Sequence, residues 1–383
     1  MLVPLTFYLM TLAVMVFITV FSFAMSKEFF SAQIYKSARK KLLAINIVFI
    51  LASSVVVSFV PREHTGFMTE IAIMWFLLQL FLSIIALLVK IFRVLYEKTS
   101  SHKVDESKRR FLRGLIWVPA ISGVFYGGLY ERRHIQFTNV EVDASSLPKL
   151  NGMKIAHLTD VHLGNFFSVN HLREVLTQIV QQSPDILAIT GDIFDDVTLN
   201  DEAMKVIDSF TGYFPFGVYF CWGNHEYLRG IDHLKAIIAK TNIKLLNNSA
   251  VKILSGDKPL YILGVDYLDG ERNPEVAKQR DAYLTKALAD VPENAYKILL
   301  THHSIFIDEA FKHNIDLTLA GHTHGGQFAL AGMPLFHVFK YMMGEYRQGS
   351  SLAYVSRGAG SWFPYRIGCP PEVTMFNFVV KSS

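Results

Sequence analysis

The sequence predicts an α/β protein that follows a set of membrane-spanning helices. Three observations predict it. Residues 1–130 hold long apolar stretches without Asp, Glu, Lys or Arg. From His134 onward, strand-like and helical runs alternate, the pattern of a sheet with helical crossovers. The ends of several strand-like runs carry His, Asp and Asn, residue types that ligate metals.

The chain has 383 residues, of which 51% are hydrophobic, and a formal net charge of +4. That length accommodates two or three domains. The charge is small, and no basic stripe with interleaved aromatics is present, so nucleic acid is not an expected partner. Cys221 and Cys369 lie far apart and form no C-x-x-C, so they support neither a zinc finger nor a disulfide scaffold and leave the redox compartment open.

Three apolar runs, 3–25, 42–60 and 71–89, are close to the ~20 residues that cross a bilayer as a helix. A fourth, 114–130, is shorter and carries Pro119 and four glycines. The first run lacks a basic leader and has a long apolar core, so a retained helix is expected rather than a cleaved signal peptide. No ionisable residue of the Asp, Glu, Lys or Arg type lies inside these runs, which leaves a transporter reading without support.

Orientation follows from the loops. Lys27, Lys36, Arg39, Lys40 and Lys41 lie between the first two runs, while Arg62, beside His64, lies between the second and third. Lys90, Arg93, Lys98, Lys103, Lys108, Arg109, Arg110 and Arg113 lie between the third and fourth. Basic loops stay cytoplasmic. The amino terminus and, if the fourth run crosses, residues 134–383 are then outside; Arg132 and Arg133 mildly oppose this. The segment 107–113 also resembles a twin-arginine export signal with Lys108 in place of the first arginine, and reads equally well as a basic membrane flank. The expectation is a multi-pass protein of the cell membrane, with a membrane domain over 1–133 and an extracytoplasmic domain over 134–383.

Within 134–383, the run 135–142 alternates like an edge strand and 153–159 reads as a buried strand. Helices are expected at 169–182, 201–210, 231–240 and 275–290. Further strands are expected at 185–190, 218–222, 260–265, 297–301, 316–320, 352–356 and 373–379. In such sheets ligands bind beyond the carboxyl ends of strands. There the sequence places Asp160 and His162, then Gly191-Asp192, then Gly223-Asn224-His225-Glu226, then His302-His303, and last Gly321-His322-Thr323-His324-Gly325-Gly326-Gln327. Helix capping by Asp160 and Asp192 or a turn at Asn224 explains single segments, but not all five in this order. The glycines permit a sharp turn and close approach of an ion or anion.

The succession D-x-H, G-D, G-N-H-[ED], a lone histidine and G-H-x-H resembles the calcineurin-like metallophosphoesterase superfamily, over roughly 134–383. The G-H-T-H-G-G-Q form, with Tyr354-Val355-Ser356-Arg357-Gly358-Ala359-Gly360 and Pro370-Pro371-Glu372, is similar to its membrane-attached bacterial branch. The resemblance implies a sandwich of two mixed β-sheets flanked by helices, holding two divalent metal ions. Mn, Fe and Zn all accept this ligand set. It assigns Asp160, His162 and His324 to one ion and Asn224, His302 and His322 to the other, with Asp192 bridging them through its two oxygens. Ser304 replaces the family's usual proline, and the register favours His302 over His303 as ligand. Asn224 supplies a neutral oxygen, so an anionic substrate is still admitted. His225 is the implied general acid, oriented by Glu226. His157 and His171 are expected to be structural or exposed, and Tyr227, Arg357 and Trp362 are candidate pocket residues.

Two cations ~3.5–4 Å apart neutralise phosphate oxygens and activate a hydroxide for in-line attack. The expected function is therefore a membrane-anchored dimetal phosphoesterase. Its partners would be the bilayer and a phosphate ester (mono-, di- or pyrophosphate), with a lipid or envelope phosphate suggested by the anchor. The alternative is a metal-binding sensor or scaffold without turnover; retention of every ligand favours the enzyme.

Overall fold

The computed structural model describes residues 5–31, 33–59, 66–99, 105–268 and 274–381. The chain divides into two compact units, Met1–Tyr130 and Glu131–Ser383.

The first unit contains α1 (Leu5–Phe29), α2 (Tyr35–Phe59), α3 (Gly66–Thr99) and α4 (Glu106–Phe125). The helices run past the apolar stretches because the flanking Lys, Arg and Glu are good helix formers. Among the described residues, Leu9–Phe29 and Met68–Thr99 are long and apolar enough to cross a membrane. The fourth apolar run is not one regular helix: α4 contains Pro119 and gives way to a π-helical turn at Tyr126–Tyr130. Arg62, His64 and Lys103 of the loop count, and residues 3, 4 and 60 of the apolar runs, lie outside the described residues.

Inside this unit an uncharged polar network joins three helices. Asn46 Nδ2 donates to Gln79 Oε1 at 2.7 Å, Gln79 Nε2 returns a bond to Asn46 Oδ1 at 2.9 Å, and Trp75 Nε1 donates to the same Oδ1 at 2.7 Å. Ser22 Oγ adds a bond to Gln79 Oε1 at 3.0 Å. Bonds of this kind hold helices together where there is little hydrophobic drive between them.

The second unit has strands β1 (Gln136–Asp143), β2 (Lys154–Leu158), β3 (Ile186–Ile189), β4 (Val218–Phe220), β5 (Lys244–Leu245), β6 (Ser249–Leu254) and β7 (Leu260–Gly264). They continue with β8 (Tyr296–His303), β9 (Leu317–Gly321), β10 (Ala329–Leu330), β11 (Met333–Pro334), β12 (Gly344–Gln348), β13 (Ser351–Val355) and β14 (Glu372–Val379). Two six-stranded sheets form, in the orders β1-β14-β2-β3-β4-β5 and β12-β13-β9-β8-β7-β6. Both are mixed: β14 pairs antiparallel to β2 in the first, and β12–β13 and β6–β7 are antiparallel in the second. β1 stands at a sheet edge, as its alternation predicts.

Period-two alternation explains why the sheets stack. On β3, Ile186 and Ala188 join Ile298, Leu300 and Leu319 in a core between the sheets. Leu187 and Ile189 point the other way, onto Leu172, Leu176 and Ile179 of α5 (Val169–Gln181) and Ile207 of α6 (Asn200–Ser209). Behind the second sheet, Leu299 packs with Leu284 of a helix spanning Pro274–Leu288. The result is a helix-flanked sandwich. β5, β6, β12 and the β10–β11 hairpin were not expected from sequence; the shortest of these pairings are too brief to carry a periodic signal.

Candidate metal centre

The loops leaving β2, β3, β4, β8 and β9 meet at one end of the sandwich. Asp160, His162, Asp192, His322 and His324 all have positive φ, between 50 and 73°. This left-handed backbone is uncommon outside glycine, though Asn, Asp and His tolerate it best. Each instance costs about 1–3 kcal/mol, and such strain concentrates at functional sites. Here it turns residues two apart towards a common point.

Two side-chain groups result. In one, His162 Nε2 and His324 Nε2 are 2.9 Å apart, and His324 Nε2 is 3.4 Å from Asp160 Oδ1. In the other, His302 Nε2, His322 Nδ1 and Asn224 Oδ1 are mutually 3.0 Å apart. Asp192 Oδ2 lies between the groups, 3.3 Å from His302 Nε2 and 3.7 Å from His162 Nε2. Its Oδ1 is taken by the backbone N–H of His225 at 2.8 Å. One oxygen of Asp192, not two as expected, therefore faces both groups.

These atoms fit cations. Ligand atoms ~2.1 Å from an ion and at right angles are ~3.0 Å apart, the separation found around His302, His322 and Asn224. The His302 Nδ1–H donates to the Thr190 carbonyl at 2.7 Å, which fixes the ring with Nε2 turned inward. Burial and the His302 charge push the His322 imidazole down to about 3, and burial holds His324 well below its usual value, so both are neutral donors. Burial disfavours the charged forms of His302 and Asp192, but their mutual attraction prevails: His302 is raised to about 9, and Asp192 is held well below the carboxylate range. Burial raises the Asp160 carboxyl.

Close approach, not turn freedom, explains two of the glycines. A Cβ on Gly321 would run into Asp160 Oδ2 and Thr159 Oγ1, and one on Gly223 into Asp192 Oδ1.

His302 and His303 end a strand, so their side chains point to opposite sides. His303 stacks on His322 with ring centroids 4.1 Å apart and meets the edge of Phe339 at 4.9 Å.

His225 stands beside both groups, its ring 4.5 Å from that of His162. The expected orienting role of Glu226 is not what the structure shows. The Glu226 carboxylate is buried and accepts the backbone N–H groups of Asp192 at 2.9 Å, Ile193 at 2.8 Å and Gly223 at 2.8 Å. It ties two ligand loops together. The carboxylate on His225 Nδ1 is Asp195, which sequence reasoning missed; its only signal was its place three residues beyond Asp192 on the same loop. Arg366, also missed, is fully buried; its Nη2 lies 3.0 Å from His324 Nδ1 and donates to the Arg357 carbonyl at 2.7 Å.

Of the candidate pocket residues, Arg357 is committed to Glu372 at 2.6 Å and Tyr227 donates to Asp266 at 2.6 Å, while Trp362 is exposed. His157 is buried against Thr190 Oγ1, and His171 is partly exposed beside Glu174.

The sequence pattern of the calcineurin-like phosphoesterases matches residues 153–326. An uncharacterised metallophosphoesterase of Campylobacter jejuni is 32% identical over 255 residues, 63% of this chain and 63% of its own. A zebrafish transmembrane protein with a metallophosphoesterase domain is 27% identical over 268 residues, 67% of this chain and 60% of its own. The chain thus spans less than two thirds of the length of these two relatives. Phosphodiesterase YaeI of Escherichia coli is 30% identical over 240 residues, 59% of this chain and 82% of its own. With the site built from the family's motifs, the chain belongs to the calcineurin-like metallophosphoesterases.

Proposed function

We infer that this protein is a membrane-anchored phosphoesterase that uses two divalent ions, Mn, Fe or Zn, to hydrolyse a phosphate ester. The observation that carries the reading is Asp192 Oδ2, placed within 4 Å of ligand atoms in both groups. Asp160, His162 and His324 would hold one ion and Asn224, His302 and His322 the other, with Asp192 shared. Bound there, the ions would supply positive charge for phosphate oxygens and a nucleophile at neutral pH. His225 is the group left to give a proton to the departing oxygen, and Asp195 fixes its ring. Asn224 adds an oxygen without adding charge, so the site still accepts an anion.

Membrane anchoring is supported by the apolar helices over Leu9–Phe29 and Met68–Thr99 and by the transmembrane relative. The catalytic unit over 134–383 is read as extracytoplasmic from the loop charges. The test is hydrolysis by the metal-replete full chain of a panel of phosphomonoesters, diesters and pyrophosphates, before and after chelation. Turnover abolished by chelation and restored by metal is expected. Stoichiometric metal binding without turnover on any of them would replace the enzyme with the sensor.

A further inference from the structure

The segment that leaves the His322–His324 loop turns apolar side chains to solvent. Leu330 is 69% exposed, Met333 65%, Val338 60%, Phe336 57% and Leu335 54%. Trp362, 52% exposed, joins them through a chain of rings: it contacts Phe363 at 5.8 Å, Phe363 contacts Phe328 at 6.4 Å, and Phe328 contacts Phe336 at 5.9 Å. Contiguous apolar surface of this kind marks an interaction site. The same segment also borders a cavity of about 450 Å³ whose wall includes Arg280, His337, Phe339 and Lys340. Phe339 packs its ring 4.9 Å from His303 and 5.3 Å from His322. The apolar patch, the cavity wall and His322 therefore lie along a single stretch of chain.

We propose that this patch inserts into the surface of a lipid bilayer, and that the substrate is a phosphate ester borne by a membrane lipid. The proposal rests on the phosphoesterase reading for its chemistry. Several observations select a bilayer as the occupant. The chain carries its own helices suited to a membrane, which keep the catalytic unit tethered within reach of one. An aliphatic tip on the β10–β11 hairpin, flanked by Phe and Trp, has the composition of an interfacial insertion. From Gly321 to Gly344 the chain has no Asp or Glu, so nothing in the segment repels anionic headgroups. The cations of the cavity wall are already compensated, Lys340 by Asp308 of the same wall and Arg280 by Glu309, so the case for a bilayer rests on the apolar surface. In the reaction a water oxygen bonds to phosphorus and its proton passes to solvent, the P–O bond to the lipid-side alcohol breaks, and that oxygen takes a proton from His225, which solvent then reprotonates.

The test places an environment-sensitive fluorophore on Met333→Cys, and in a separate preparation on Lys205→Cys, an exposed site on α6; native Cys221 and Cys369 are buried. The full chain is reconstituted into phosphatidylethanolamine–phosphatidylglycerol vesicles with and without brominated acyl chains. The label at 333 is expected to shift to the blue and to be quenched several-fold more than the label at 205. Equal quenching at both positions overturns the proposal. So does a blue-shifted label at 333 that brominated lipid does not quench, which would identify a protein partner. In parallel, Met333→Asp with Phe336→Ser should lower the ratio of rates on a vesicle-borne phosphate ester and on soluble bis-nitrophenyl phosphate about tenfold. An unchanged ratio overturns the lipid-substrate part. Quenching at 333 with no turnover of either ester would uphold the docking surface and reject the phosphoesterase reading.

Discussion

The Nδ1 of His225 rests on the carboxylate of Asp195, and that carboxylate also reaches His162 Nδ1 and Arg229 Nε, each at 3.3 Å. One side chain thus steadies both His162, a proposed metal ligand, and His225, the proposed proton donor. Burial opposes its ionisation, but the hydrogen bonds from His162 and His225 hold it well below the usual carboxylate range, so it is anionic at neutral pH. Asp195→Asn is expected to lower kcat by about 10–100-fold while most metal is retained, as for other carboxylates that orient metal-bound histidines. Wild-type kcat in the variant, measured with saturating metal, would remove Asp195 from the mechanism.

His225 itself is separable from the metal ligands by choice of leaving group. His225→Ala should keep its metal, yet lose far more rate on alkyl than on nitrophenyl esters, because only a poor leaving group needs the proton. Equal losses on both would reduce His225 to positioning or electrostatics.

A pH effect on stability comes from His157. It is fully buried, bonded to Thr190 Oγ1 at 2.8 Å, and burial pushes its pKa down to about 3. The unfolded chain, with an ordinary histidine near ~6.5, takes up the proton first, so acid favours unfolding by about 1.4 kcal/mol per pH unit between those values. Denaturation of wild type at pH 7 and pH 5 should differ by about 2 kcal/mol more than that of His157→Gln. The same difference in both proteins would show that His157 does not titrate this way.

Topology decides which substrates the site can meet. A reporter active only outside the cytoplasm, fused after Ser383, is expected to give signal. Silence from it, with signal from a cytoplasm-active reporter at the same position, would place the catalytic unit inside.

The candidate centre was largely legible because its residues sit at strand ends, where order along the chain survives as position in the fold. Asp160, His162, Asp192, Asn224, His302, His322 and His324 are brought together as that logic implies. What could not be read depends on where side chains point. Asp195 and Glu226 differ in where their carboxylates point, one towards an imidazole and the other back onto amides. The left-handed backbone at five loop positions is a tertiary demand that Asp and His tolerate but do not announce in the sequence. The Asn46–Gln79 pair was invisible for another reason, since single uncharged polar residues scarcely interrupt an apolar run.

Asp192 is proposed to serve two ions at once, and metal content measured together with turnover distinguishes a shared ligand from a private one. The purified full chain should carry two divalent ions and hydrolyse bis-nitrophenyl phosphate. Asp192→Ala should lose most of that metal and all turnover, even with excess metal supplied. Full activity in a metal-replete Asp192→Ala protein would contradict the account.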